Sequence, residues 1–165
     1  MAEGKLFATL SVFHENGAQV IVVGGVASVL NGAPVNTFDI DLVYSLDPLN
    51  IERLEIALDR LDAIFRIQPE RRLRPNRSHL AKGGHLNLVT RFGFMDLLGS
   101  IGHGLDYSRL LPESTEMEIG GGLRVLVLNL KTIILSKEQA AREKDQATLP
   151  ILRQSLKEQR KPDYD

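Results

Sequence analysis

The feature that most constrains the fold is a short apolar run that ends at two glycines. Residues 19–23 read Gln-Val-Ile-Val-Val, and Gly24 and Gly25 follow directly. A run rich in β-branched residues and bounded by glycine predicts a buried strand, and residues 26–31 are expected to form a helix that opens from the turn. Backbone N–H groups at such a turn bind anions, although an ordinary strand-to-helix turn explains the glycines equally well. The chain is therefore expected to form an α/β (α+β) fold, with helices packed against a short mixed sheet.

A second strand carries two acidic side chains. Residues 37–44 alternate polar and apolar side chains with the period of two of a half-buried strand. Asp39 and Asp41 therefore face the same side, where two carboxylates repel each other unless a cation lies between them. Mg²⁺ is typically held by one or two carboxylates together with substrate phosphates. The pair indicates a site for phosphoryl transfer, whereas a D-x-D pattern on its own is most often a solvated strand face.

Hydrophobic periodicity and turn residues divide the rest of the chain into further elements. Amphipathic helices are predicted over residues 4–16, 48–60 and 129–142, and from residue 145 onward, where Pro150 fits a first turn. Strands are predicted over residues 85–90 and 92–98, and a hairpin over residues 116–119 and 123–128. Residues 160–165 are expected to form a frayed tail.

Length and composition exclude several classes of protein. A chain of 165 residues fits one domain, residues 1–165. The absence of cysteine excludes disulfides, thiolate metal sites and cysteine nucleophiles. The net charge of −1 means that an anionic partner must be attracted by a local patch. No apolar run approaches the roughly 18 residues of a membrane span, and the N-terminus lacks a signal-peptide apolar region. A cytoplasmic protein without membrane association is expected.

One basic stretch is a candidate contact for nucleic acid. It contains Arg71, Arg72, Arg74 and Arg77, and two prolines nearby favour a loop. Such a loop could touch RNA phosphates, and a solvated loop is the alternative. No aromatic residue is interleaved for base stacking.

The histidines and serines give no further site. His79, His85 and His103 lack the regular spacing of metal ligands and are interpreted as structural or exposed. Ser100 and Ser108 lack the sequence context of a hydrolase nucleophile.

Three segments together resemble a known superfamily. Val23-Gly-Gly25 followed by Thr37-Phe-Asp-Ile-Asp41 resembles the signature of the DNA polymerase β-type nucleotidyltransferases. The pattern Lys-x4-Arg-x-Lys-Asp resembles a C-terminal motif of small bacterial abortive-infection-type nucleotidyltransferases, some of which act as toxins. Its members here are Lys137, Arg142, Lys144 and Asp145. The likeness covers roughly residues 19–150.

The resemblance implies an enzyme that moves NMP from an NTP to a hydroxyl of an acceptor, which could be RNA, protein or a small molecule. In that family two acids and a third from a neighbouring strand hold Mg²⁺ or Mn²⁺, which implies Asp39, Asp41 and Asp96 as catalytic and metal-binding residues. Lys137 is implied to neutralise phosphate charge, and Asp145 to orient a basic group. The implied nucleotide-binding residues are Gly24, Gly25, Thr37, Lys137, Lys144 and Asp145. A protein partner, as in a toxin–antitoxin pair, is also compatible with the resemblance.

Two positions depart from the family pattern. Family members often carry Arg two residues before the strand's Thr, where this chain has Val35. Polymerase-like members often carry Ser where this chain has Gly25. These departures keep open a catalytically inactive module of the same fold that binds a nucleotide or a protein. A scaffold with acids only as surface decoration is the third alternative.

Overall fold

The computed structural model describes residues 3–161, and the side chains of residues 4–161. The predicted tail of residues 160–165 therefore lies mostly outside the described residues. Within the described part, the α-helices are α1 (Glu3–Glu15), α2 (Gly24–Leu30), α3 (Pro48–Arg60), α4 (Arg77–Ala81), α5 (Tyr107–Leu110), α6 (Leu130–Ala140) and α7 (Leu149–Gln159). The strands are β1 (Val20–Val23), β2 (Ile40–Tyr44), β3 (Ile64–Phe65), β4 (His85–Thr90), β5 (Gly93–Leu98), β6 (Ser100–Ile101), β7 (Leu105–Asp106), β8 (Ser114–Glu118) and β9 (Arg124–Leu128). Single 3₁₀ turns cover Pro69–Arg71, Leu111–Glu113 and Glu143–Asp145.

Seven of these strands form one mixed sheet, which confirms the predicted fold class. Its order is β3-β4-β5-β2-β1-β9-β8, and β6 pairs with β7 separately. Strand β2 runs parallel to β5, and β1 runs parallel to β9, whereas the other neighbours are antiparallel. The predicted strands over residues 85–90 and 92–98 and the predicted hairpin all lie in this sheet.

Strands β1 and β2 lie side by side in the middle of the sheet and are almost fully buried. Ile21, Val22 and Val23 are at most 1% exposed, because a strand covered on both faces needs apolar side chains in succession. The antiparallel register places Val23 opposite Asp41. Asp41 therefore lies at the end of the sheet where β1 gives way to α2.

The structure confirms the predicted boundaries of helix α3, residues 48–60, and its first turn shows why the helix begins there. The Asp47 side chain accepts a hydrogen bond from the Leu49 N–H at 3.0 Å, and Pro48 occupies the first turn, where its missing N–H costs nothing. The Asn50 side chain is buried and accepts from the Gln19 N–H at 2.6 Å, and it donates to the carbonyls of Gln19 and Ser45. This amide ties α3 to the start of β1 and the end of β2.

Three local predictions were wrong. The strand predicted to begin at Thr37 begins at Ile40, the first residue that pairs with β5, so Asp39 precedes the strand. The helix predicted from residue 26 already begins at Gly24, whose φ of +65° makes the turn. The basic stretch read as a loop contains a 3₁₀ turn and α4, in which Asn76 accepts a capping bond from the His79 N–H.

The described helices are all too short or too polar to cross a lipid bilayer.

Candidate active site

Two carboxylates meet across neighbouring parallel strands. Asp41 on β2 is in register with Asp96 on β5. Residues opposite each other in a ladder project to the same face, so the side chains lie together. Asp39, two residues before Asp41, contributes its charge to the same cluster. The structure thus brings Asp41 and Asp96 together with Asp39 nearby, but among the described residues the three side chains do not converge as a set of metal ligands.

The glycine turn is packed directly against these residues. A Cβ atom at Gly24 would overlap the carboxylate of Asp41. A Cβ atom at Gly25 would lie 2.6 Å from the Oγ1 atom of Thr37, closer than van der Waals contact allows. Both glycines are therefore required by close approach of the segment that carries the acids, and Gly24 also by its positive φ.

The acid cluster raises the pKa of Asp41 to about 7. Burial is the largest cause, because it disfavours the charged form. The charge of Asp96, a hydrogen bond that protonated Asp41 donates to Asp96, and the charge of Asp39 act in the same direction, whereas Lys137 lowers the pKa. The neutral form of Asp41 is thus favoured up to near-neutral pH.

Sequence reasoning missed a cation that faces the cluster, Arg66. Its Nη2 atom lies 3.1 Å from Oδ1 of Asp96, and its Nη1 atom lies 3.7 Å from Oδ2 of Asp39. The guanidinium also donates to the Leu88 carbonyl at 3.2 Å and stacks on the Phe94 ring, 4.5 Å from its centroid. Arg66 therefore pairs with two of the three acids.

A second group of charges borders the cluster from the C-terminal helices. Lys137 on α6 donates to Oδ1 of Asp145 at 2.8 Å, and Arg142 pairs with Oδ2 at 3.3 Å. Burial alone raises the pKa of Asp145, but the hydrogen bond and charge of Lys137, with those of Arg142, hold it below its usual value. Asp145 is only 4% exposed, and Lys137 and Arg142 together favour its charged form despite this burial.

Two adjoining cavities open at these residues. A cavity of about 350 Å³ is bounded by Gly24, His85, Ser100 and Arg142, among others. A cavity of about 620 Å³ is bounded by Val35, Thr37, Phe38, Asp39 and Asp96, among others. The residues that border both are Gly25, Asp41, Lys137, Lys144 and Asp145. Volumes of this size suit a small ligand such as a nucleotide.

All nine residues nominated from the sequence border one or both cavities. They come from a glycine turn, two strands, the loop before β2 and the C-terminal helices, so only the fold brings them together. Their roles stay predictions. Of the described residues that line these cavities, none belongs to the arginine stretch of residues 71–77. Arg74 instead pairs with Asp59 and Asp62, and Arg77 pairs with Glu55.

His85 is a second cavity residue that sequence reasoning set aside. It lines the smaller cavity, and burial lowers its pKa, whereas the charge of Asp96 raises it and those of Arg142 and Lys144 lower it. The signal was available in the alternation of β4, because His85 and Asn87 share a strand face and Asn87 is in register with Asp96.

The donor chemistry fits a hard divalent cation. Carboxylate oxygens are the ligands that Mg²⁺ takes, commonly one or two from the protein with the rest from phosphates and water. Asp41 and Asp96 are in contact, and this contact raises the pKa of Asp41. Among the described residues, no three Asp, Glu, His or Cys side chains converge on one point, and one Asp39 oxygen lies 3.7 Å from Arg66. Two carboxylates thus form the core of the site.

The fold of this chain is similar to that of a protein of known structure. The chain is similar to the crystal structure of lincosamide antibiotic adenylyltransferase LnuA in its lincomycin-bound form, with a TM-score of 0.60 and 15% sequence identity. The match covers 93% of this chain and 97% of the LnuA chain. No protein family model and no curated protein matches the sequence. The fold is nucleotidyltransferase-like.

Proposed function

We propose that this protein is a metal-dependent nucleotidyltransferase, which moves NMP from an NTP to a hydroxyl group of an acceptor. The observation that carries the proposal is the pairing of Asp41 with Asp96 across parallel strands, directly against the Gly24-Gly25 turn. Two partly buried acids that repel each other destabilise the fold, and a cation-binding role accounts for their presence side by side. The similarity of the fold to an adenylyltransferase supports the same reaction class.

In the proposed reaction, the acceptor oxygen attacks the α-phosphorus, the bond from that phosphorus to the bridging oxygen of the β-phosphate breaks, and pyrophosphate leaves. Asp39, Asp41 and Asp96 would hold Mg²⁺ or Mn²⁺, which supplies charge neutralisation of the phosphates and of the developing oxyanions. Asp96 also accepts or positions the acceptor's proton. Lys137 and Lys144 face the shared wall of the two cavities and neutralise phosphate charge, while Asp145 holds Lys137 in place.

The acceptor is proposed to be RNA, a protein or a small molecule. LnuA is an adenylyltransferase named for lincosamide antibiotics, so ATP and a small hydroxylated compound are the first pair to test. For RNA, Arg71 and Arg72 are the better candidates of the basic stretch, because Arg74 and Arg77 are held in ion pairs.

Calorimetric titration tests the proposal. ATP, GTP, CTP and UTP are titrated into the wild type and the Asp39→Ala/Asp41→Ala variant, each with MgCl₂ or with EDTA. We expect binding to the wild type with Mg²⁺ only, and Asp59→Ala, which alters an exposed carboxylate outside both cavities, serves as the matched control. Pyrophosphate release in the presence of candidate acceptors then tests turnover, which Asp96→Ala should lower by at least about a hundredfold. Equal binding by wild type and double variant would refute the assignment.

The second candidate is a non-catalytic module of the same fold that binds a nucleotide or a protein partner, as in a toxin–antitoxin pair. Two observations favour it: Val35 replaces a family arginine at the larger cavity, and Asp39 is engaged by Arg66. This module predicts metal-dependent NTP binding without pyrophosphate release for any acceptor.

A further inference from the structure

Arg66 occupies an unusual position, since its charge faces the two acids that flank Asp41. Its backbone N–H donates to the Asn87 carbonyl at 3.0 Å, so pairing beside β4 fixes where the side chain starts. The side chain is 30% exposed, and the Asp39 and Asp96 side chains are 34% and 15% exposed. These ion pairs are partly shielded from water, so they are screened less than surface pairs.

Placing the Arg66 side chain here costs free energy, which its ion pairs must offset. The Nε atom of Arg66 is buried and has no hydrogen-bond partner among the described residues. A buried donor without a partner is unfavourable, and most buried polar atoms in proteins avoid it. Besides its ion pairs, the guanidinium lies over the Phe94 ring, 4.5 Å from its centroid, and donates to the Leu88 carbonyl. What arginine alone supplies is a fixed positive charge that reaches two carboxylates.

We propose that Arg66 is a positioning residue that acts as an internal counter-ion of the carboxylate cluster: it holds Asp39 and Asp96 in the metal-free protein and weakens metal binding by competing for them. One oxygen of each acid faces the guanidinium. A divalent cation that binds these acids must draw them from Arg66 and tolerate its positive charge nearby. The inference rests on the proposed function only in taking Mg²⁺ as the cation.

This role has a consequence opposite to that of a purely structural arginine. If Arg66 merely held the acids in place, removing it would let them drift and metal affinity would fall. If Arg66 competes with the metal, removing it leaves the acids more strongly repelled, and metal affinity rises. An opposite charge at this distance changes the affinity of a carboxylate for a proton by about tenfold or more. We expect a change of at least about threefold for the hydrated divalent ion.

The test is the dissociation constant of the metal itself, without nucleotide. MgCl₂ is titrated calorimetrically, and MnCl₂ by electron paramagnetic resonance, into the wild type, Arg66→Met and Arg66→Lys at pH 8. Methionine keeps an unbranched stem over Phe94 and removes the charge. Lysine keeps the charge but cannot span both acids. We expect Kd to fall by at least about threefold in Arg66→Met, with Arg66→Lys between it and the wild type.

Arg74→Met is the matched control, because Arg74 also bridges two carboxylates, Asp59 and Asp62, and lines neither cavity of the site. Its metal affinity should equal that of the wild type. Circular dichroism in EDTA checks that each variant folds. If Arg66→Met does not fold, the comparison of Arg66→Lys with the wild type serves as the test.

The outcomes separate the inference from the proposed function. If the wild type binds metal and the folded Arg66 variants bind it with the same or a higher Kd, the proposed competition is wrong. The assignment of a metal site is then unaffected. Binding by Arg66→Met where the wild type binds too weakly to measure supports it. Absence of metal binding in all folded variants overturns the inference, and the metal-dependent reaction is then decided by the titrations with NTP.

Discussion

Substitution of Asp41 by asparagine should stabilise the metal-free protein by an amount that grows as the pH rises from 3.8, the pKa of an unfolded aspartate, to about 7. Asparagine has nearly the same shape, keeps a donor toward Asp96 and carries no charge. The pKa of Asp41 is raised in the folded protein, from 3.8 to about 7. A group with a raised pKa contributes stability that is present below its unfolded pKa and is lost as the pH rises through its folded pKa.

The size of the effect follows from the pKa shift of Asp41. About three pKa units correspond to about 4 kcal/mol at pH 8 or above, as an upper value. About 1.5 kcal/mol of this is already lost at pH 5, so we expect a further loss of about 2 to 3 kcal/mol between pH 5 and pH 8. For a chain of this length, 1 kcal/mol corresponds to about 2 to 4 °C in Tm. Asp41→Asn should therefore melt above the wild type at both pH values, by about 5 to 10 °C more at pH 8 than at pH 5.

Thermal unfolding followed by circular dichroism in EDTA, at pH 5, 6, 7 and 8, measures this difference. Asp59→Asn is the control, because Asp59 is exposed and its pair with Arg74 is a surface ion pair. Its Tm should stay close to that of the wild type at every pH. Adding MgCl₂ at pH 8 should raise the Tm of the wild type and leave Asp41→Asn unchanged. A Tm difference that does not vary with pH, or a less stable Asp41→Asn at pH 8, would refute the reasoning.

Three further predictions concern the neighbours of the acid cluster. Gly25→Ser places a Cβ against Thr37 and should lower stability by about 1 to 3 kcal/mol in urea unfolding and weaken NTP binding in calorimetry. Asp145→Ala leaves the Lys137 ammonium without its buried acceptor and should cost about 3 kcal/mol at pH 7. That cost should shrink in acid, because the lowered pKa of Asp145 means that its contribution is lost as the pH falls. Val35→Arg adds a cation at the larger cavity and should tighten NTP binding by about threefold or more in calorimetry.

Two of these variants have a matched control elsewhere in the chain. Gly4→Ala lies on α1 with open space around its Cβ position and should be neutral or slightly stabilising. Glu138→Ala removes an exposed partner of Arg153 and should cost at most about 1 kcal/mol. Unchanged stability in Gly25→Ser, a cost for Asp145→Ala no larger than for Glu138→Ala, or an unchanged NTP affinity in Val35→Arg would each contradict the corresponding argument.

The strands of the sheet could be predicted where the sequence has an apolar run or a regular alternation of polar and apolar residues. β1 and β2 were found because apolar β-branched runs and strict alternation mark buried and half-buried strands. α3 was found to the residue because Asp47 and Pro48 form a strong start signal. The start of β2 was placed three residues early because alternation continues through Thr37, and only pairing with β5 defines where the strand begins.

Arg66 could not be predicted from local sequence. It follows β3, a strand of two residues, which is too short to show any period. Its acidic partners lie 27 residues before it and 30 residues after it, and β4 and β5 must pair before these groups meet. A salt bridge of this kind is a property of the sheet order, so a single sequence gives no signal for it. The same holds for the approach of Lys137 to Asp41, whose pKa its charge lowers, because this approach depends on where α6 packs.

The packing of the two signature segments explains a departure from the family pattern. Gly25 approaches Thr37 so closely that a serine at position 25 has no room unless the loop before β2 moves. That loop carries Asp39, and its position is fixed two residues later by the pairing of Asp41 with both Val23 and Asp96. A slip of one residue in this register would turn Asp41 to the opposite face of the sheet. The glycine pair is thus a consequence of how closely the turn approaches Asp41 and Thr37, which leaves no room for a Cβ atom at either position.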